Sequence, residues 1–372
     1  MKSKIIVFGA TGYTGHLVAE AMVNRGLKPV LCGRNRQKLE RLAEKLGGLG
    51  VAVADVNDPA SIGAVLEPND ILISTVGPFA KYGKAAITAA VEKGAVYIDS
   101  TGEPSFIQQV FEVYGPTAQA TGATLITACG YDYIPGNCAA GLAIEASGTM
   151  ARRVDVGYFS KSGGRVGPLD MSQGTQASLL MAMVAPITVW TKGAYKQVTG
   201  GTTVRTFQLD NLTSPGLSMS CTEHFSLPRV YPHLRDIRTY LGWFGKKTYM
   251  MKYGAMMQSI TGKIPGYLSL MSWLLSFLPE SKGKGPNLEQ RQRHTTHVIA
   301  ETFDENGNKL NRTDLVGADG YTFTAEFIAW AADQSSKGGL LKKGAVGPIE
   351  AFGLDALRRG CEQCGLTVIS VP

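Results

Sequence analysis

Short apolar runs alternate along the first third of the chain with segments whose apolar residues recur every three or four positions. Such short runs are typical of buried parallel strands. The spacing of Leu17, Val18 and Met22 is instead typical of a helix that buries one face. The pattern predicts six strands separated by helices, at Lys4–Phe8, Pro29–Cys32, Val51–Ala54, Ile71–Thr75, Ala95–Ile98 and Thr124–Thr127.

Strands that alternate with helices predict a doubly wound parallel sheet with right-handed crossovers and the strand order 3-2-1-4-5-6. The fold class that we expect is α/β: a Rossmann sheet followed by a second α+β domain with a mixed, largely antiparallel sheet. The predicted boundaries are 1–136 for the Rossmann domain and 137–340 for a substrate or dimerisation domain. The segment 341–372, which contains a predicted helix at Ile349–Gly365, is expected to pack back on the Rossmann domain.

The second domain is predicted from a change of pattern after Gly136. Alternating apolar and polar positions indicate half-exposed strands, and a turn-rich stretch at 304–308 indicates a hairpin. Tyr231–Pro279 is rich in Met, Trp and Tyr and is expected to form helices. The predicted strands are Arg153–Ser160, Thr203–Leu209, Leu217–Thr222, His294–Phe303 and Tyr321–Ala325.

Composition and charge narrow the class of protein. A chain of 372 residues usually needs two cores, and 44% apolar with 18% charged residues indicates a globular protein. The net charge of +7 is spread along the chain without a basic block, so we expect no nucleic-acid partner. The six cysteines lie mostly among apolar or small residues, which fits free thiols in a reducing cytoplasm.

Targeting and metal signals are weak. The apolar run after Lys4 breaks at Gly9, too early for a secretory signal, and Leu268–Leu278 is too short to cross a bilayer. Cys361 and Cys364 form a CxxC pair, but no second pair or nearby His completes a zinc site. We therefore expect a cytoplasmic protein without a membrane span or a metal, with peripheral membrane contact left open.

The strongest motif is a glycine turn that follows the first strand and opens the first helix, the context in which such spacing indicates a dinucleotide site. Gly9 allows the tight turn, Gly12 lets a diphosphate approach the backbone, and Gly15 lets the helix pack on the strand. The helix start offers free N–H groups to the phosphates. The residues predicted to bind the cofactor here are Gly9, Thr11, Gly12, Tyr13, Thr14 and Gly15.

The end of the second strand indicates which nicotinamide cofactor is bound. Enzymes that use NAD usually place a carboxylate there, whereas this strand ends in Arg34 and Asn35. An arginine pairs with a 2′-phosphate and stacks on adenine, so NADP(H) is favoured, with Arg36 or Lys38 assisting. Asp55, at the end of the third strand, is expected either to touch the adenine or to serve as a turn residue.

Further loops lie at the same carboxyl edge of the predicted sheet, where ligands bind in open parallel sheets. The loop after strand four is expected to wall the cofactor through Thr75, Val76, Gly77 and Pro78. The loops after strands five and six supply the candidates for chemistry. Tyr131 and Asp132 are the candidate proton donors, and Glu103, Tyr133 and Ser172 are the candidate substrate residues.

Five segments together resemble the saccharopine dehydrogenase-like family: GATGYTG, CGRN, TVGPFAKYG, IDSTGE and GYDYIPGN. Within that family they are similar to the branch that includes saccharopine-dehydrogenase-like oxidoreductases and trans-acting enoyl reductases. The resemblance covers the N-terminal third well and extends weakly to Ser172–Leu180 and Gly344–Leu357. It implies a Rossmann domain with an inserted α/β domain and NADP-linked chemistry, without fixing the substrate.

The expected activity is hydride transfer from NADPH to a C=N, C=O or enoyl C=C acceptor. The alternatives are a trans-acting enoyl reductase for a carrier-bound acyl or polyketide chain, and a non-catalytic NADP-binding sensor or scaffold. The region 240–278 combines Trp243 and other aromatic residues with lysines. It is interpreted as core helices, as a lid over an apolar acyl substrate, or as a membrane-surface or homodimer contact.

Overall fold

The chain divides into two compact units. The computed structural model describes residues 3–163, 165–166, 186–261 and 285–371. Ser172 and Leu268–Leu278 lie outside the described residues. The first unit comprises Met1–Gly102, Phe106–Ile134 and Gly320–Cys364, and the second comprises Glu103–Ser105, Pro135–Asp319 and Gly365–Pro372. Relative to the predicted boundaries at 136 and 340, residues 320–340 are grouped with the first unit and 365–372 with the second.

A seven-stranded sheet forms the centre of the first unit, and every pair of neighbouring strands in it is parallel. Its order is β16-β6-β5-β4-β1-β2-β3, so the predicted order 3-2-1-4-5-6 is confirmed and one short strand from the C-terminal region is added. The strands are β1 Ile5–Phe8, β2 Val30–Gly33, β3 Val51–Val53, β4 Ile71–Ser74, β5 Val96–Asp99, β6 Thr124–Ile126 and β16 Gly344–Ala345.

Helices connect these strands, as the alternating pattern predicts. The central strands β1, β4 and β5 are buried along their whole length, which explains their uninterrupted apolar sequences. The helical segment between β5 and β6 contains a π-helical turn at Val110–Tyr114. The helices are α1 Tyr13–Asn24, α2 Arg36–Lys45, α3 Pro59–Ala64, α4 Phe79–Glu92, α5 Pro104–Gln109, α6 Gly115–Thr121, α11 Gly320–Ser336, α12 Pro348–Phe352 and α13 Leu354–Gln363.

One predicted strand of this region is wrong. Tyr321–Ala325 lies in helix α11 and not in a strand. Phe323, Phe327 and Trp330 are buried on one side of this helix, at intervals of four and three residues. The short window that suggested a strand contained only the beginning of this helical repeat, so a longer window favours the helix.

The second unit contains a mixed, largely antiparallel sheet, as predicted. Its path is β11-β12-β13-β7-β14-β15-β17, in which only the β13–β7 pair is parallel, and β8 pairs with β7. A separate hairpin is formed by β9 and β10. The strands are β7 Arg153–Ser162, β8 Arg165–Val166, β9 Pro186–Thr191, β10 Ala194–Thr199, β11 Val204–Leu209, β12 Leu212–Met219, β13 Asp236–Leu241, β14 His294–Phe303, β15 Lys309–Gly317 and β17 Leu366–Val371.

The predicted all-helical stretch at 231–279 is corrected by strand β13. Ile237, Thr239 and Leu241 are buried there, and the strand pairs with β7 along its length. Pairing with a long buried strand favours extended backbone, which the content of aromatic and methionine residues alone did not reveal. The helices of this unit are α7 Ile134–Ser147, α8 Glu223–Val230, α9 Thr248–Thr261 and α10 Leu288–Gln292.

Charged groups are buried together in the second unit. Arg205 of β11 is bonded to both Asp155 of β7 and Glu301 of β14, and Arg312 lies 3.8 Å from Glu301. The guanidinium of Arg205 also lies 4.5 Å from the ring centre of Phe207. A cation between two acids compensates for removing them from water, so this cluster holds three strands together.

Within the described residues, no helix is long and apolar enough to cross a membrane. The same part of the chain contains no group of three or more His, Cys, Asp or Glu side chains arranged for a metal. Cys361 and Cys364 are buried thiols outside any disulfide, with Cys361 in α13 and Cys364 at its end.

Candidate active site

The glycine turn between β1 and α1 has the shape of a phosphate cradle. Gly9 adopts φ +87°, a backbone conformation that favours glycine, and its N–H donates to the carbonyl of Cys32 at 2.9 Å. The Gly12 N–H then donates to the Gly9 carbonyl at 2.8 Å, which closes the turn. A Cβ on Gly15 would lie 2.3 Å from the Gly9 oxygen, so only glycine permits this contact.

The start of α1 is open to an anion. Gly12 is the N-cap, no side chain caps the helix, and no acidic residue lies in its first turn. Thr11 and Gly12 are exposed, whereas Tyr13 and Thr14 are half-buried. Uncapped N–H groups at an exposed helix start fit the diphosphate of a dinucleotide.

Arg34 is exposed at the end of β2 and forms no ion pair with any described residue. Its neighbour Asn35 caps α2, because its side chain accepts a hydrogen bond from the Lys38 N–H at 2.9 Å. Arg36 is engaged with Glu40 at 3.6 Å. Arg34 therefore remains available for a ligand phosphate.

Asp55 is occupied within its own turn. Its Oδ1 accepts hydrogen bonds from the Asn57 N–H at 2.9 Å and from the Asn57 side-chain amide at 3.0 Å. This geometry is that of an Asx turn, the second of the two roles expected for this residue.

The loop after β4 lies against the glycine turn. The Thr75 hydroxyl donates to the Phe8 carbonyl at 3.1 Å, and its oxygen lies 2.8 Å from where a Cβ of Gly9 would be. Val76 and Pro78 are half-buried and Gly77 is exposed, before α4 begins at Phe79. The loop after β4 thus holds the glycine turn in place. Its own backbone lies at the same carboxyl edge of the sheet.

Asp99, at the end of β5, organises the two loops that carry the candidate chemistry. One carboxylate oxygen accepts from the Thr101 and Ala128 N–H groups at 2.9 Å each, and the other accepts from the Thr127 hydroxyl at 2.8 Å. Burial raises the pKa of Asp99 to about 6, although these hydrogen bonds oppose the shift. Sequence reasoning placed this residue in an unusual loop without giving it a role.

The two tyrosines of the loop after β6 are packed into the first unit. Tyr131 is 4% exposed, its backbone N–H donates to the Thr324 hydroxyl at 2.9 Å, and its ring lies against Gly320. Tyr133 is buried, and its hydroxyl donates to the Gly102 carbonyl at 3.3 Å. Both side chains therefore shape the loop.

Asp132 lies between these tyrosines and differs from them. Its Oδ1 is buried and has no hydrogen-bond partner among the described residues. The other oxygen faces Gly102, where a Cβ would come within 3.2 Å of it. Burial raises the pKa of Asp132 to about 7, so the carboxyl group holds a proton near neutral pH.

Glu103, a candidate substrate residue, lies outside the first unit. Glu103 is 2% exposed and is grouped with the second unit.

Sequence reasoning missed two residues of α11. Thr324 accepts a hydrogen bond from the Tyr131 backbone N–H, and the ring of Tyr321 meets that of Tyr13 edge-on at 5.1 Å. The helical spacing of apolar residues in this segment was the signal that could have identified them.

The family of the first unit follows from its sequence. Residues 5–126 match the family model of the saccharopine dehydrogenase NADP binding domain. This N-terminal domain belongs to that family. The resemblance inferred from the GATGYTG and neighbouring segments is thus confirmed for residues 5–126.

Relatives of this chain differ in how much of it they match. It is 26% identical to a trans-acting enoyl reductase of Mycobacterium ulcerans over 98% of this chain and 97% of that protein. It is 36% identical to a lipid droplet localized protein of Caenorhabditis elegans, over 35% of this chain and 34% of that protein. The match therefore spans about a third of the second relative's length.

A solved structure shares the fold. The apo saccharopine dehydrogenase (L-Glu forming) of Saccharomyces cerevisiae matches with a TM-score of 0.63 and 14% identity, covering 100% of both chains. At this identity the likeness establishes a common fold alone.

Proposed function

We propose that the protein is an NADPH-dependent reductase that delivers a hydride to a C=N, C=O or enoyl C=C acceptor. NADPH supplies the hydride to the acceptor carbon, and the protein supplies binding, orientation and one proton. The observation that carries the proposal is Asp132, a partly buried acid with an unpartnered oxygen at the edge where ligands of parallel sheets bind.

The cofactor is held chiefly by backbone in this proposal. The glycine turn and the start of α1 contact the diphosphate, with Thr11, Tyr13 and Thr14 beside it. Thr75, Val76, Gly77 and Pro78 border the ribose and nicotinamide. Arg34 binds the 2′-phosphate through paired N–H groups, and the absence of a carboxylate at this strand end avoids repulsion.

Asp132 is the proton donor in this proposal. Its carboxyl proton passes to the acceptor nitrogen or oxygen, or to the α-carbon of an enoyl group, as the hydride arrives at the neighbouring carbon. The carboxylate left behind then takes a proton from solvent. A pKa of about 7 suits such a general acid near neutral pH. Tyr131 and Tyr133 position the loop, and Glu103 and Ser172 remain candidates for contacting the substrate.

The test of cofactor choice is the Arg34→Glu variant. We expect NADPH affinity to fall about 100-fold, in line with about 2–3 kcal/mol for a lost charge-assisted pair plus repulsion, while NADH affinity changes little. Fluorescence titration of both cofactors measures this. Arg41→Glu, an equal charge change at an exposed site on α2, is the matched control and should leave both affinities unaltered. Equal losses for NADPH and NADH in Arg34→Glu would refute the assignment.

A trans-acting enoyl reductase is the second candidate, favoured by the alignment with the M. ulcerans relative along nearly the whole chain. NADPH oxidation with an enoyl thioester such as crotonyl-coenzyme A, against 2-oxo acids with ammonia and simple ketones, separates the candidates. Oxidation by the thioester alone would favour the enoyl reductase. Tight NADPH binding without oxidation by any acceptor would instead support a sensor or scaffold.

For location we propose a cytoplasmic protein in peripheral contact with a membrane, as the name of the C. elegans relative suggests for that protein. We also propose that the protein self-associates as a homodimer, which light scattering of the purified protein would measure.

A further inference from the structure

Helix α9 exposes an apolar stripe at the surface of the second unit. Tyr249, Met250, Tyr253, Met256 and Met257 repeat at the spacing that normally faces a core, yet they are 49%, 67%, 67%, 44% and 62% exposed. Scattered exposed apolar residues are ordinary, but five on one helix form a patch of the kind that marks an interaction site.

The stripe faces outward because the other side of the helix is packed. Ala255 is half-buried, and its methyl group lies 3.2 Å from where a Cβ of Gly201 would be. Thr248 at the helix start is buried as well. The small residues thus allow α9 to pack against the second unit. The larger apolar side chains remain at the surface.

The charge around this stripe is of one sign. Lys246 and Lys247 are exposed in the turn that precedes α9, and Lys252 lies on the helix. The sequence contains no Asp or Glu from Ile237 to Pro279. A second copy of this chain would bring the same positive charge to the patch, so charge complementarity favours an anionic partner.

We propose that α9 is an interfacial helix that docks on an anionic phospholipid surface. Tyr249, Met250, Tyr253 and Met257 enter the boundary between headgroups and acyl chains, while Lys246 and Lys247 meet lipid phosphates. Aromatic rings and thioethers suit this boundary because they combine apolar surface with polarisable or polar atoms. The inference rests on the membrane contact proposed above and names the surface that makes it, and it is independent of the proposed reductase activity.

Co-sedimentation of the full chain with phospholipid vesicles tests the proposal. We expect binding to vesicles that contain phosphatidylglycerol and weak binding to phosphatidylcholine alone. Met250→Glu/Tyr253→Glu should reduce binding at least about tenfold, because two charges would enter the apolar boundary. Lys246→Glu/Lys247→Glu should remove the preference for phosphatidylglycerol by a comparable factor of about ten.

Met150→Glu is the matched control, since Met150 is 65% exposed elsewhere in the same unit. It should bind vesicles as the unaltered protein does, and NADPH titration checks that every variant is folded. Equal binding to neutral and anionic vesicles, or undiminished binding by the Met250→Glu/Tyr253→Glu variant, would overturn the proposal. A stable dimer that this variant dissociates, without vesicle binding, would assign the surface to a second copy.

Discussion

Buried acids are arranged differently in the two units. In the second unit, Asp155 and Glu301 share the guanidinium of Arg205. Burial raises the pKa of Asp155, but Arg205 and Arg153 oppose the shift and favour the charged form. In the first unit, Asp132 has one buried oxygen without a partner, and burial raises its pKa to about 7. Paired acids hold strands together, whereas an unpaired acid keeps its proton and can give it away.

The difference follows from the free energy of burial. A buried charge is tolerated when a counter-charge lies beside it, and otherwise the group takes up a proton. A neutral carboxyl group without a hydrogen bond still loses about 1–3 kcal/mol relative to water, which natural folds rarely accept away from functional sites. The cost of burying the Asp132 carboxyl group, at the sheet edge where ligands bind, therefore indicates a role in chemistry, whereas the ion pairs of the Arg205 cluster indicate a structural role.

The largest effect is expected on breaking the paired cluster. Arg205→Met removes the cation that Asp155 and Glu301 share, while Arg153 stays 3.2 Å from Asp155 and Arg312 stays 3.8 Å from Glu301. The free energy of unfolding should therefore fall by an amount at the lower end of about 3–5 kcal/mol. Urea denaturation followed by near-UV circular dichroism measures this loss. Arg293→Met removes an arginine from an exposed ion pair with Glu289 and should cost less than about 1 kcal/mol. Comparable losses in the two variants would mean that the buried cluster contributes no more than a surface pair.

The next effect concerns the unpaired acid. Asp132→Asn keeps the shape of the side chain but removes the transferable proton, so kcat should fall about 100- to 1,000-fold with NADPH affinity unchanged. In the unaltered protein kcat should decline as pH rises through about 7, because the carboxyl group then loses its proton. Steady-state rates with the acceptor found in the panel, measured across pH, check both expectations.

Asp333→Asn is the matched control for this substitution, because Asp333 is an acid on α11 that pairs with Lys337 at the surface. Its kcat and pH profile should equal those of the unaltered protein. If Asp132→Asn kept full kcat and the same pH dependence, another group would have to donate the proton.

The first unit was predictable because its signals are local. Continuous apolar strands, helical spacing and the glycine turn between Gly9 and Gly15 depend on residues close in sequence, and they gave the strand order as well as the cofactor edge. The sequence also identified the loop that contains Asp132. It did not separate Asp132 from Tyr131, because burial of a ring against Gly320 depends on a helix almost two hundred residues away.

The second unit was less predictable because its signals are distant. The pairing of β13 with β7, and of β17 with β15, joins segments far apart in the chain. Arg205, Asp155 and Glu301 carry no spacing that marks them as one cluster. Such contacts are determined by tertiary packing, which local propensity does not report. The same limit explains why strand β13 was assigned to helices.

The smallest effect is a pH dependence of stability that belongs to the first unit. The pKa of Asp132 in the folded state, about 7, lies above its ordinary value of 3.8, so the folded state holds a proton that the unfolded state releases. Its contribution to stability is full below about pH 4 and is lost as pH rises through about 7. Between about pH 5 and pH 8 this loss is on the order of 2 kcal/mol.

Asp132→Asn should remove this loss, so the variant's free energy of unfolding should decline less than that of the unaltered protein over the same pH interval. Asp99, with a pKa raised to about 6, is present in both proteins and cancels in the difference. Urea denaturation at the two pH values supplies the four free energies. Parallel declines would show that Asp132 is already ionised in the folded protein, and the distinction between paired and unpaired acids would then fail.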